Sequence, residues 1–278
     1  MMEAIINKIL PFSSVDGPGN RSIVFFQGCN FDCLYCHNPE TINICNSCGA
    51  CINSCNYNCL SLESKEIKYD KNNCKNCDYC LKGCKNSSSP KVMKMGVEEL
   101  VNEILKYKTF ISGITVSGGE CTLQRDFLVE FFREIKKTNL SIFVDTNGSY
   151  DFSNDTELIG LIDSVMLDIK SFKPKEHKFL TGMDNEIVLK NAKYLGSIGK
   201  LYEIRTVIVP NILDNEYNVD NISKLVSSID QNIRYKIIKY RPIGVRENKL
   251  KSISPNDEYM KMLKAIATNN GCGDVIVV

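Results

Sequence analysis

Fourteen cysteines stand in a chain of 278 residues, and twelve of them fall between positions 29 and 84. The chain opens without the apolar stretch of a secretory signal, and no apolar run approaches the roughly 20 residues of a membrane span. A cytoplasmic protein is therefore expected, and in that setting so many thiols point to metal or redox chemistry rather than disulfides. Only two histidines occur, His37 and His177, which excludes a three-histidine zinc centre. Cys29, Cys33 and Cys36, in GCNFDCLYCHNPE, have no fourth thiol close by. A closed tetrahedral site needs four ligands, so the open position is expected to receive a substrate. Eight more cysteines form two runs, CNSCGACINSC at 45–55 and CKNCDYCLKGC at 74–84, each spaced C-x2-C-x2-C-x3-C and offset by 29 residues. Each run brings four thiols of its own. Cys59, Cys121 and Cys272 are expected to pack as small apolar residues, with a substitute-ligand role as the alternative for Cys59, four residues past Cys55.

These groups need elements to position them. Residues 45–89 are rich in Asn, Lys, Ser and Cys and poor in large apolar side chains. So short a segment buries little core alone, so a metal-held insert is expected there, with SSSP at 87–90 as its exit. The flanking parts, 1–44 and 90–278, read as one α/β unit. RSIVFF, GITVSGGE, SIFVD, DSVMLDIK, YEIRTVIV and RYKIIKY are strand-like, and segments with a helical period, such as VEELVNEILKY and DFLVEFFREIKK, follow them. DVIVV closes the chain. Six strand–helix units predict a parallel sheet, either doubly wound or a partial (β/α)6 barrel. In a barrel, chemistry belongs on loops at the carboxyl ends of the strands. CNFDCLYC, SGGE, DTNG and DIK all fall there, which favours the barrel. The formal charge of +1, from 34 basic and 33 acidic residues, gives no footprint for nucleic acid.

The two four-cysteine runs match the two-cluster bacterial ferredoxins, in which the fourth cysteine of each run serves the other cluster. That rule assigns Cys45, Cys48, Cys51 and Cys84 to one [4Fe–4S] cluster and Cys55, Cys74, Cys77 and Cys80 to the second. Two zinc sites are the alternative. The proline that usually follows the fourth cysteine is replaced by Asn56 and Lys85. C-x3-C-x2-C after a strand resembles the signature of the radical S-adenosylmethionine (SAM) superfamily, and SGGE one strand later agrees. VDGPGNR, FFQGC and CLYCHNP together are similar to the glycyl radical enzyme activating enzymes, the pyruvate formate-lyase activase family. The two-cluster insert marks a subgroup of them, the YjjW-type branch.

The resemblance implies three [4Fe–4S] clusters, the one on Cys29, Cys33 and Cys36 leaving an iron open for the SAM amino and carboxylate groups. It implies SAM contacts from Tyr35, Cys36, His37, Gly118, Gly119, Glu120, Asp168, Ile169 and Lys170. Arg205, facing inward on the fifth strand, is a further candidate. Asp145, Thr146 and Met166 match positions that bind a monovalent cation. Asp16, Asp168 and Lys170 match residues near the incoming glycine loop. A turn or cap role for Asp145 and a solvated strand end for Lys170 are the plain alternatives. Activases of this family often carry a ribose-contacting histidine on the last strand; here Tyr240-Arg-Pro-Ile-Gly244 stands in that region. His177 is expected on an exposed helix face. The implied activity is reductive cleavage of SAM to methionine and a 5′-deoxyadenosyl radical that takes a hydrogen from a glycine of a partner enzyme. The implied partners are a glycyl radical enzyme and a flavodoxin- or ferredoxin-type electron donor, with neither nucleic acid nor membrane. A radical SAM enzyme acting on a small molecule or peptide, or an iron–sulfur electron carrier, are the rival readings.

Overall fold

The structure is a computed structural model describing residues 2–278. β1 (Glu3–Ser13) and β2 (Arg21–Phe26) form an antiparallel pair. The insert follows, with a hairpin of β3 (Leu60–Glu63) and β4 (Glu66–Tyr69) and the short helix α1 (Tyr79–Lys82). β5 (Met93–Gly96) returns the chain to β1. Alternation then runs through α2 (Val97–Leu105), β6 (Gly113–Gly118), α3 (Arg125–Lys136), β7 (Ser141–Thr146), α4 (Thr156–Leu161) and β8 (Ser164–Asp168). It continues with α5 (Pro174–Thr181), α6 (Glu186–Ser197), β9 (Leu201–Ile208), α7 (Asn215–Ile229), β10 (Arg234–Lys239), α8 (Asp257–Asn269) and β11 (Val275–Val277).

Nine strands make one sheet, in the order β11-β10-β9-β8-β7-β6-β2-β1-β5. The pairs from β2 through β6 to β11 are parallel, and β1 and β5 add an antiparallel edge. The six expected strand–helix units are those strands, so the partial barrel stands. The sequence reading missed β1 and β5. β1 carries Asn7, Lys8 and Pro11 among its apolar residues, which blurs the two-residue period, and β5 has four residues.

The apolar core lies between sheet and helices. It takes Val24, Ile114, Ile142, Val165, Ile204 and Ile237 from the strands and Phe127, Phe131, Leu195 and Val226 from the helices. Successive strand residues point to opposite faces, so the alternate set faces inward and carries polar groups: Thr115, Ser117, Asp145, Asp168, Glu203, Arg205 and Lys236. Arg21, 1% exposed, closes the floor. It stacks on Phe143 at 4.2 Å and donates to Thr115 Oγ1 (2.9 Å) and the Ile114 carbonyl (2.6 Å). Among the described residues the sheet does not close by hydrogen bonds, but loops span the gap. Lys236 Nζ reaches the Val15 carbonyl (3.5 Å), and Arg246 Nη2 reaches the Cys33 carbonyl (3.0 Å).

The insert has a core of its own built largely from Cys51, Leu60 and Cys80, with Ile52, Ile67 and Leu81 packed against it. That is too little apolar surface for independent stability. Its backbone repeats with its sequence. Ser47 and Asn76, Gly49 and Asp78, and Asn58 and Ser87 are pairs offset by 29 residues, and all six have positive φ.

Candidate functional site

A cavity of about 330 Å3 opens at the carboxyl ends of β2, β6, β7, β8 and β9, at the lower end of the range for small-ligand pockets. Cys29, Cys33 and Cys36 line it from the loop after β2. That loop is tied down along its length. The amides of Gly28 and Cys29 donate to the carbonyls of Thr41 (2.9 Å) and Ile42 (2.8 Å), and those of Asp32 and Leu34 to Thr181 and Leu180 (both 2.9 Å). The Phe31 amide points at Cys29 Sγ (3.4 Å). Burial pushes the thiols of Cys29 and Cys33 up to about 11 and about 12, and that of Cys36 up as well. They therefore keep their protons until a metal takes their place.

The Gly118-Gly119 turn forms the adjoining wall. A Cβ on Gly118, at φ +127°, would lie 2.2 Å from the Phe26 carbonyl oxygen; one on Gly119 would lie 2.2 Å from that of Gly28. These glycines thus let β6 press against the cysteine-bearing chain, with the Glu120 amide donating to the Gly28 carbonyl at 2.7 Å. The glycines are required by the close approach of two backbones.

Charged groups complete the wall. Lys170 Nζ lies 2.5 Å from Asp168 Oδ2. Burial disfavours the ammonium, but Asp168 outweighs it and keeps Lys170 charged. Arg205 meets Asp145 at 3.0 Å, Glu203 at 2.5 Å and Met166 Sδ at 3.0 Å. Burial would drive Asp145 toward its neutral form, and Arg205 and the Ser117 hydroxyl (2.9 Å) work against that. A guanidinium therefore stands between Asp145 and Met166, where the sequence reading placed a monovalent cation. Thr146 turns its hydroxyl to Glu120 instead (2.9 and 3.0 Å). Tyr35 and His37 also line the cavity. The Tyr35 hydroxyl is buried without a hydrogen-bond partner, and the His37 ring lies near-parallel to Tyr240 and donates to the Arg241 carbonyl (2.8 Å).

Several expected residues lie elsewhere. Glu120 is 1% exposed and outside the wall. Its carboxylate accepts from the Thr122 amide and hydroxyl, the Thr146 hydroxyl and the Asn147 amide, so it clamps two loops rather than facing a ligand. Met166 and Ile169 are fully buried. Asp16 sits by the floor, accepting from the Ser13 hydroxyl (2.6 Å), while its carbonyl accepts from Thr115 (2.6 Å). His177 is not on an exposed face. It is fully buried, edge-on to Phe31 at 5.5 Å, with Nδ1 2.8 Å from the Met183 carbonyl. Glu203 and Arg246 escaped the sequence reading. Glu203 had a usable signal, two residues before Arg205 on the same strand face; Arg246 had none.

In the insert, Cys45, Cys48, Cys51 and Cys84 line one small cavity, and Cys55, Cys59, Cys74, Cys77 and Cys80 another. Among the described residues no three His, Cys, Asp or Glu side chains converge closely enough to hold a single metal ion. Thiols spread around a cavity suit a multi-iron cluster, whose ligands bind different irons.

Residues 71–219 match the Radical SAM superfamily. The chain is 31% identical over 277 residues to a pyruvate formate-lyase-activating enzyme of Staphylococcus epidermidis, covering 93% of this chain and 92% of that protein. It is 30% identical over 249 residues to one from Streptococcus mutans, covering 86% and 78%. Among solved structures, a domain of pyruvate-formate lyase-activating enzyme from Bacteroides vulgatus aligns with a TM-score of 0.53 at 20% identity, over 60% of this chain and 99% of that one. QueE from Escherichia coli aligns with a TM-score of 0.56 at 12% identity, over 100% and 95%. These last two likenesses concern the fold.

Proposed function

The chain belongs to the radical SAM superfamily, as a glycyl radical enzyme activating enzyme within it, and on that premise we propose the following division of labour among its residues. Cys29, Cys33 and Cys36 hold the [4Fe–4S] cluster. The observation that carries this is one cavity joining three thiols, a glycine turn and the charged groups Asp145, Asp168, Lys170 and Arg205. The donor set fits an iron–sulfur cluster with an open iron, and the unpartnered Tyr35 hydroxyl supplies a polar contact for a ligand. When bound, the cluster and SAM together supply a one-electron cleavage of the sulfonium, whose adenosyl fragment removes a glycine hydrogen from a partner enzyme.

The chain's own residues bind, orient and shield. Lys170 and Arg205, each held by a carboxylate, offer N–H donors and positive charge to the carboxylate of SAM, and Asp145 and Asp168 offer acceptors to the N–H groups of its amine. Because these ion pairs are already formed and buried, little reorganisation accompanies binding. Tyr35 and His37 flank the adenine side. Asp16, by the floor near Arg21 and Thr115, sits where a glycine loop entering the barrel would end. Positioning of this kind supplies much of the rate in such reactions.

The insert fits two further clusters, as in the YjjW-type branch, one on Cys45, Cys48, Cys51 and Cys84 and one on Cys55, Cys74, Cys77 and Cys80. The first is the nearer to the SAM cluster, since the Cys29 amide bonds to Ile42, three residues before Cys45. Electrons from a flavodoxin- or ferredoxin-type donor then enter at the second and pass through the first.

Anaerobic reconstitution tests the reading. About 12 irons per chain are expected, with SAM cleavage under reducing conditions and the EPR doublet of a glycyl radical on a co-incubated glycyl radical enzyme. A protein that cleaves SAM but radicalises no such partner would contradict the proposed target.

A further inference from the structure

The second insert cavity holds five thiols, one more than a cubane cluster uses. The extra one is Cys59, and its counterpart in the other half of the repeat is Ser88, 29 residues on. The two occupy equivalent places. Ser88 is 1% exposed, lines the cavity of Cys45, Cys48, Cys51 and Cys84, and sets its hydroxyl 3.4 Å from Cys84 Sγ. Cys59 is 3% exposed, lines the cavity of Cys55, Cys74, Cys77 and Cys80, and points its amide at Cys55 Sγ (3.3 Å). One half-site thus has a hydroxyl beside its fourth cysteine, where the other has a thiol. A hydroxyl is a poor ligand for iron in such clusters, whereas a thiolate is the ordinary one.

We infer that Cys59 is a reserve ligand for the second insert cluster, able to take the place of Cys55. This rests on the proposal that the insert holds two clusters. The exchange breaks the iron–sulfur bond to Cys55 and forms one to Cys59. The Cys59 proton passes to the Cys55 sulfur, and no electron is transferred. Little backbone has to move, because the two cysteines are four residues apart and the Cys59 thiol is held by the Cys55 thiol itself and by a 3.5 Å contact to the Tyr57 carbonyl. The two ligation states differ in hydrogen bonding to sulfur, since the Cys59 amide serves Cys55, and such bonds set cluster potential.

The test uses the full chain, loaded anaerobically, with iron and sulfide content and low-temperature EPR as readouts. Wild type, C59S and C55S are each expected to retain about 12 irons, C55S with an altered cluster signal, and the C55S/C59S double variant, left with three thiols at that cluster, to lose between about 1 and 4 of them. If C55S alone loses as much iron as the double variant, Cys59 is not a ligand and the inference is overturned. Should wild type itself bind only about 4 irons, the insert reading fails first, which separates the two failures. The mirror experiment guards against a folding defect. C84S is expected to lose between about 1 and 4 irons and C84S/S88C to regain them; no recovery in a folded protein that keeps its SAM cluster would also count against the equivalence of the two positions.

Discussion

Replacing Gly119 by alanine displaces the cluster loop without touching any ligand. The added Cβ would lie 2.2 Å from the Gly28 carbonyl oxygen and 2.7 Å from that of Thr41, where carbon–oxygen contacts settle at about 3.3 Å. Both atoms are backbone, so neither can rotate away. Both also belong to the frame that carries Cys29, because Gly28 precedes it and bonds through its amide to Thr41 at 2.9 Å. The loop must therefore shift by about 1 Å. Overpacking of this kind costs about 2 kcal/mol, or roughly 4–8 °C of Tm in a chain of this size. The effect on chemistry is larger, since a misplacement of about 1 Å can cost on the order of 100-fold. G119A should thus keep about 12 irons and melt somewhat earlier. Its rate of SAM cleavage should fall by about 10- to 100-fold. Iron content, anaerobic thermal melting and quantification of 5′-deoxyadenosine measure the three. A fully loaded, folded G119A with wild-type cleavage would refute the reasoning, because it would show that the glycine turn does not set the position of the cluster.

Other substitutions probe separate parts of the site. Y35F removes a buried hydroxyl that has no partner, so Tm should hold or rise while SAM affinity, read by EPR titration, weakens by about 5-fold, the worth of one hydrogen bond; weakened stability with unchanged affinity would place that hydroxyl outside the ligand contacts. E120Q cannot accept all four bonds of the loop clamp, and a loss of about 1–3 kcal/mol is expected in denaturant melts. Asp155 takes a two-pronged bond from Arg125 at 2.6 and 2.7 Å, and Arg125 holds its carboxyl well below the usual carboxylate range. A depressed folded pKa contributes stability that is present above the unfolded value and lost as pH falls through the folded one. D155N should accordingly cost about 2–3 kcal/mol at neutral pH, with the gap to wild type closing as pH drops below about 4; a gap independent of pH would mean the ion pair contributes nothing.

The fold was legible wherever a long periodic segment reported it, as in DFLVEFFREIKK and YEIRTVIV. It failed where the signal was short or mixed, as in β5 and the polar-interrupted β1. Cys29, Cys33 and Cys36 were legible as one group from spacing, because covalent distance fixes which cysteines a loop can gather; that Cys84 joins the first insert run and Cys55 the second came only from the likeness to two-cluster ferredoxins. The polar wall was less so. Glu120 reads the same in sequence whether it faces a ligand or clamps Thr122, Thr146 and Asn147; only the position of those loops decides. His177 looked exposed because its neighbours are Lys175, Glu176 and Lys178, yet the helical turn sends its ring inward against Phe31. Arg205 was visible as an inward residue, but its placement on Met166 and Asp145 depends on the register of β7, β8 and β9, which local sequence does not carry.

The account turns on a cluster held by three thiols and open to SAM. Its most direct test is the EPR spectrum of the reduced, fully iron-loaded protein before and after SAM is added. One cluster signal should shift on addition in the wild type, and that response should vanish in C33S while the insert signals persist. An unchanged wild-type spectrum at full iron content and saturating SAM would contradict it.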